Sequence, residues 1–209
     1  MKRETPSRDA IALLPPFEGL PLDRVFVPAS ERDFADACDA IRAAGVVGFD
    51  TESKPTFDVG QVSDGPHVVQ FATLDAAYLF QVHRPECREP LLDLLASPAV
   101  EKVGFGLSSD RKHVRARFGV ELASVVDLND VFRRAGYRGS IGVRGAVAVV
   151  FGARFLKSKR VTTSNWALPK LDARQMLYAA NDAWAALRVH HAIVAGTGIA
   201  PLADDGSAS

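Results

Sequence analysis

From Phe34 onward the apolar residues recur at helical spacing, with Phe34, Ala37, Cys38, Ile41 and Ala44 falling on one face. Ser30 stands where an N-cap belongs, and Gly45 ends the run. The pattern then switches. VVGFDT at 46–51 predicts a short apolar strand, and the turn-rich stretch 53–66 predicts a loop. HVVQFAT and AYLFQV predict a hairpin joined around Asp75 and Ala76. Leu91, Leu92, Leu94 and Leu95 mark the inner face of a helix ending near Pro98. After it come a strand EKVGFG, a helix over about 108–118, a strand SVVDL and a short helix NDVFRRAG. The segment SIGVRGAVAVVFG is ambiguous, because its β-branched residues and glycines oppose a helix. The last long helix starts at Asp172, which forms with Gln175 an Asp variant of the capping box. It runs to about Val194 before Gly196 closes it.

A strand meander followed by αβα units predicts an α/β fold with a mixed, five-stranded central sheet flanked by helices. Residues 1–28 hold five prolines and no clear periodicity, so they read as an extended arm. Residues 29–202 form the expected domain, and 203–209 (ADDGSAS) a flexible tail. At 209 residues and 47% hydrophobic content the chain can bury one full core. Charge is balanced at 25 basic and 25 acidic residues, which excludes a protein that coats nucleic acid by global charge. It does not exclude an acidic centre offset by metal ions. Cys38 and Cys87 have neither metal nor redox spacing and suggest a reducing compartment. No apolar run reaches bilayer length, and MKRETPSRDA lacks the apolar stretch of a signal peptide. A cytoplasmic location without a membrane partner is the expectation.

The acids change the picture. Asp50 and Glu52 sit two apart on the first strand and therefore share a face, with Phe49 and Thr51 on the other. Gly48 shares the acidic face and leaves room beside it. A strand end emerging into solvent would also carry such a pair. Asp110 falls in the first turn of its helix, where the helix dipole favours an acid on its own account. Asp182 lies mid-helix, four residues after Tyr178, so the two side chains share a face about 5–6 Å apart at Cβ. Around them stand Ala179, Ala180, Ala183, Trp184 and Ala186. An acid there is costly to bury unless it holds a metal ion or pairs with a base.

Taken together, GFDTE (48–52), GLSSD (106–110), SNW (164–166) and LYAANDAW (177–184) resemble the DEDDy branch of the DnaQ-like 3′→5′ exonucleases. The resemblance covers about 46–194; within the branch the motifs look most like the Werner-type exonuclease domains and, more distantly, ribonuclease D. It implies a ribonuclease H-like fold, with a helix where SIGVRGAVAVVFG stands, although the leucine-rich face usual there is missing. It also implies metal ligands at Asp50, Glu52, Asp110 and Asp182 and a catalytic tyrosine at Tyr178, which orients the attacking water. The implied cofactors are two divalent ions, Mg²⁺ or Mn²⁺, which suit hard carboxylate oxygens. The implied partner is a nucleic acid with a free 3′ end, DNA being expected. RNA trimming, degradation of very short oligonucleotides, or a catalytically silent nucleic-acid-binding domain are the alternatives, and an oligomer is left open.

Substrate contacts are expected from Thr51 and from Lys157, Lys159 and Arg160 just ahead of SNW, although a solvated loop accounts equally for that basic cluster. The loop after Glu52 departs from the family in carrying Lys54 and Pro55. Trp166 reads as a packing residue rather than a stacking platform. Gly104 and Gly106 give only part of a dinucleotide fingerprint, because Ser109 stands in the third glycine's place. No two histidines have metal spacing, and His113 is one turn from Asp110.

Overall fold

The computed structural model describes residues 3–55 and 64–197; the tail expected at 203–209 and the middle of the loop after Glu52 lie outside the described residues. The N-terminal segment contributes a short helix α1 (Arg8–Ala12), a 3-10 turn (Leu22–Arg24) and a strand β1 (Val25–Phe26). Helix α2 (Glu31–Ala44) and strand β2 (Val46–Glu52) lead into the hairpin β3 (Val68–Ala72) and β4 (Ala77–Gln81). Then come α3 (Arg88–Ala96), β5 (Glu101–Gly104), α4 (Leu107–Phe118), β6 (Val125–Asp127) and α5 (Leu128–Arg134). Helices α6 (Gly142–Phe151), α7 (Lys159–Thr162) and α8 (Ala173–Val194) complete the domain.

The sheet runs β1-β4-β3-β2-β5-β6 and is mixed: β2–β3 and β3–β4 pair antiparallel, the other neighbours parallel. It has six strands rather than the expected five. The sixth, β1, comes from the segment read as an arm, and two residues are too few to show a period. That segment is also pinned elsewhere. Arg154 exchanges backbone hydrogen bonds with Pro15 and Phe17 (2.7 and 2.9 Å). The Phe17 ring packs against Phe151, Phe155 and Trp184.

One face of the sheet is covered by α2, α3 and α4, whose Phe34, Ile41, Leu91, Leu94 and Val114 close over Phe49, Phe71 and Phe80. Helix α8 covers the other face, where Ala179, Ala180 and Ala183 meet Val68, Ala72 and Leu79. Small residues on α8 let its backbone come close to the strands. At Gly48 a Cβ would stand 1.9 Å from the Ala183 carbonyl oxygen, so the space beside the acids is filled by α8 itself. The ambiguous segment is helical, as the resemblance implies. Its Gly145, Ala146, Val147 and Ala148 are buried, and Ala146 and Val147 join a cluster with Phe132, Ala185 and Val189. Burial against neighbouring helices outweighs a poor intrinsic propensity there.

Candidate active site

Asp50 and Glu52 project from the carboxyl end of β2 toward α8, and Asp182 meets them from mid-helix. Ligand oxygens of these three acids lie within 4.8 Å of one another. Asp110 reaches the same strand end from the opposite face, because it belongs to α4. It is buried, and its Oδ1 accepts a 2.5 Å hydrogen bond from the Thr51 hydroxyl. The alternation of β2 thus splits the work: Asp50 and Glu52 face α8, while Thr51 faces α4 and holds Asp110. Thr51, expected at the substrate, has its hydroxyl committed to that bond.

What fixes α4 is Asp127, at the end of β6. Its carboxylate accepts from the backbone N–H groups of Gly106 (3.0 Å), Leu107 (2.8 Å) and Asn129 (2.9 Å). One side chain therefore caps α4 and α5 together and sets Asp110 one turn into α4. An acid directly before a short helix is a capping signal, and reading it in SVVDL would have found this residue. Gln70 escaped for a different reason: it looks like a strand residue. It pairs with Asp50 across β2 and β3, is fully buried, and its amide has no hydrogen-bond partner among the described residues.

Burying several acids together has an electrostatic cost. Burial, then the Asp110 and Asp182 charges, holds Asp50 well above the usual carboxylate range. Glu52 is pushed up to about 9 by burial and then by Asp50 and Asp182. Burial also raises Asp110, against the Thr51 hydrogen bond, and raises Asp182, against Lys157. Such acids ionise together only when cations join them. Asp182 Oδ1 has no hydrogen-bond partner among the described residues although it is buried. Clustered hard oxygens with an orphaned one among them fit divalent ions.

Tyr178 lies one turn before Asp182, with its hydroxyl 2.7 Å from Thr162 Oγ1. Burial, then the Asp182 charge, pushes the phenol up to about 12, so it stays protonated at neutral pH. Trp166 is 1% exposed and packs its ring 5.9 Å from that of Tyr178, as a packing residue should. The SNW motif acts as a clasp: Gln175 in the first turn of α8 donates to Ser164 Oγ and the Asn165 carbonyl (3.0 and 3.3 Å).

The basic cluster divides. Lys157 enters the acidic centre, its Nζ 2.6 Å from Asp182 Oδ2 and 5.1 Å from the Tyr178 ring centroid. Burial alone would lower this ammonium; Asp182 and then Tyr178 outweigh it, and it is held above its ordinary range. Lys159 and Arg160 stand exposed on α7. Two hollows flank these residues. A cavity of about 260 Å³ is lined by Asp50, Asp182, Lys157 and the start of α6. A larger one of about 640 Å³ lies behind Tyr178, with Leu20, Arg160 and Asn181 in its wall. The smaller one is lined by Asp50 and Asp182 and is the candidate reaction site. His113 is exposed on α4, and its charge tends to lower Asp110.

The 3′-5′ exonuclease family profile matches residues 25–195. The bifunctional 3′-5′ exonuclease/ATP-dependent helicase WRN of Mus musculus is 32% identical over 147 residues, 69% of this chain and 10% of that protein. A 3′-5′ exonuclease of Arabidopsis thaliana is 26% identical over 149 residues, 69% of this chain and 51% of that protein. The chain thus spans about half or less of these relatives. Among solved structures, the exonuclease domain of Aedes aegypti Nibbler superposes with a TM-score of 0.70 at 24% identity, covering 83% of this chain and 88% of that one. Escherichia coli RNase D, an exoribonuclease involved in structured RNA processing, gives 0.69 at 22%, covering 83% and 45%. At those identities the two structures establish the ribonuclease H-like fold. The profile covers most of the chain, and on that ground the chain belongs to the 3′-5′ exonuclease family.

Proposed function

We propose that this chain hydrolyses the terminal phosphodiester bond at the 3′ end of a nucleic acid, as a DEDDy-type enzyme using two divalent ions, Mg²⁺ or Mn²⁺. The observation that carries the reading is the meeting of Asp50, Glu52 and Asp182 within 4.8 Å, with Tyr178 one helical turn from Asp182. When bound, such ions lower the pKa of water and offset charge on the leaving oxygen. Asp50 would be the ligand shared by both, Glu52 and Asp182 would hold mainly the water-activating ion, and Asp110 the second. Thr51 keeps Asp110 oriented through their 2.5 Å hydrogen bond. Tyr178, a neutral phenol, orients the attacking water. Attack on phosphorus breaks the bond to the 3′ oxygen, which leaves as the new terminal hydroxyl while a nucleotide 5′-monophosphate departs.

The substrate we propose is DNA, on the likeness to the exonuclease–helicase. RNA is the second reading, which the exoribonuclease of the same fold favours. A reducing, cytoplasmic setting accords with Cys38 and Cys87, both free and buried. Among the described residues no helix is long and apolar enough to cross a membrane. The test is degradation of 3′- and 5′-labelled single-stranded DNA, recessed duplex DNA and RNA with each metal, beside a circular single strand. Shortening of linear strands from the 3′ end with the circle intact is expected. Cutting of the circle overturns the assignment.

A further inference from the structure

We infer that Lys157 is a tethered counter-cation of the carboxylate cluster, which a divalent ion must displace from Asp182 before the site can load. The inference rests on the metal-site reading above and adds to it a competitor carried by the chain itself.

The geometry is specific. Lys157 lies in the stretch between α6 and α7, and the Arg144 guanidinium of α6 donates to its backbone carbonyl, which anchors the residue. From there the side chain, 29% exposed, carries its Nζ to 2.6 Å from Asp182 Oδ2, whose own side chain is 3% exposed. A buried carboxylate is thereby neutralised. A Mg²⁺ held at about 2.0–2.1 Å by either oxygen of that carboxylate would stand within a few ångströms of the ammonium, and the two cations would repel each other.

Charge counting gives the direction of the exchange. Four ionised carboxylates carry four negative charges, which two divalent ions neutralise in full. An ammonium left on Asp182 would then be an excess charge in a buried cluster. Its flexible four-carbon stem lets the head withdraw while the backbone stays fixed. The cavity of about 260 Å³ is lined by Lys157 as well as by Asp50 and Asp182, so a phosphodiester entering it would meet the freed ammonium. In the unloaded protein Lys157 suppresses repulsion among the acids, and in the loaded protein it is available to the anion.

The experiment needs no substrate. Mn²⁺ binding is measured by calorimetric titration at pH 8 on the wild type, Lys157→Met and Lys157→Arg. Separately, reductive methylation of the wild type with and without saturating Mn²⁺ is read by mass spectrometry, with the exposed Lys112 and Lys170 as references. Removing the competitor should tighten Mn²⁺ binding of Lys157→Met by about tenfold or more, given typical coupling between close charges. Lys157→Arg, which keeps the cation, should bind no tighter than wild type. Methylation of Lys157 should rise when Mn²⁺ is added, while Lys112 and Lys170 stay constant. The labelling arm decides alone if Lys157→Met does not fold. Unchanged labelling, or Lys157→Met binding no tighter than a wild type that does bind Mn²⁺, overturns the exchange and leaves the metal site standing. A wild type that binds no Mn²⁺ overturns both.

Discussion

Replacing Gly48 by alanine should disable the site without touching any acid. The added Cβ would lie 1.9 Å from the Ala183 carbonyl oxygen and 2.6 Å from its carbonyl carbon, where real contacts do not fall below 3.0 Å. The gap between β2 and α8 must therefore open by at least about 1 Å, from 1.9 to 3.0 Å. Neither side yields easily. One is a sheet strand paired on both edges, the other the backbone of a 22-residue helix. Overpacking of this kind costs about 1–3 kcal/mol. The displacement also reaches the site, because Asp182 immediately precedes Ala183 and moves with it, while Asp50 and Glu52 stay on the strand. Misplacing catalytic groups by about 1 Å costs on the order of 10² in rate. Single-turnover cleavage, metal titration and denaturant unfolding of Gly48→Ala together measure this. Folded protein with weakened metal binding and a rate loss near 10² is expected. Wild-type stability and turnover would show that α8 does not set the distance between the acids.

Asp50→Ala should abolish cleavage while the fold survives, since losing one acid relieves repulsion; near-normal turnover with an unchanged circular dichroism spectrum would remove Asp50 from the site. Asp182→Asn should weaken metal binding and be partly rescued by excess Mn²⁺ in a cleavage assay. Tyr178→Phe should keep metal affinity and lose about 10²–10³ in single-turnover rate, as losing a positioned hydrogen-bond donor does; full activity would return Tyr178 to a packing role. Neutralising Lys159 and Arg160 together should flatten the salt dependence of substrate binding, and an unchanged slope would leave them a solvated surface. Lys102 is fully buried on β5, donates to the Ser97 and Ala123 carbonyls, and is pushed by burial down to about 8. Its folded value lies below the unfolded one of 10.5, so the unfolded chain binds more protons between them and stability rises with pH across that window. Denaturant unfolding at pH 7.5 and 10.5 should show a gain of up to about 3 kcal/mol that Lys102→Met lacks, and equal gains would refute it.

What the sequence made legible was whatever had a local cause. Helix α2 carries its start at Ser30 and its stop at Gly45, and α8 its capping box at Asp172, so both could be read from a few neighbouring residues. Strand alternation placed Asp50 and Glu52 on one face, and helical spacing placed Tyr178 beside Asp182. What stayed hidden depended on distant partners. Strand β1 exists because β4 offers it an edge, and α6 is a helix because neighbouring helices bury it. Lys157 was visible as a charge but not as the partner of Asp182, 25 positions further along the chain. Thr51 was placed on the right face of the strand, yet nothing nearby in sequence announced that α4 would bring Asp110 to meet it.

The order in which the ligands occur along the polypeptide has a consequence for synthesis. Asp50, Glu52 and Asp110 emerge early, but Tyr178 and Asp182 arrive only with α8, the last helix described. That helix is also the one that covers Val68, Ala72 and Leu79 on the open face of the sheet. A chain cut short before residue 173 would therefore lack both the layer that covers this face and the Tyr178 and Asp182 side chains. Premature termination would yield a fragment with a bare sheet face and an incomplete acidic cluster. Completion of the core and completion of the acidic centre are the same event.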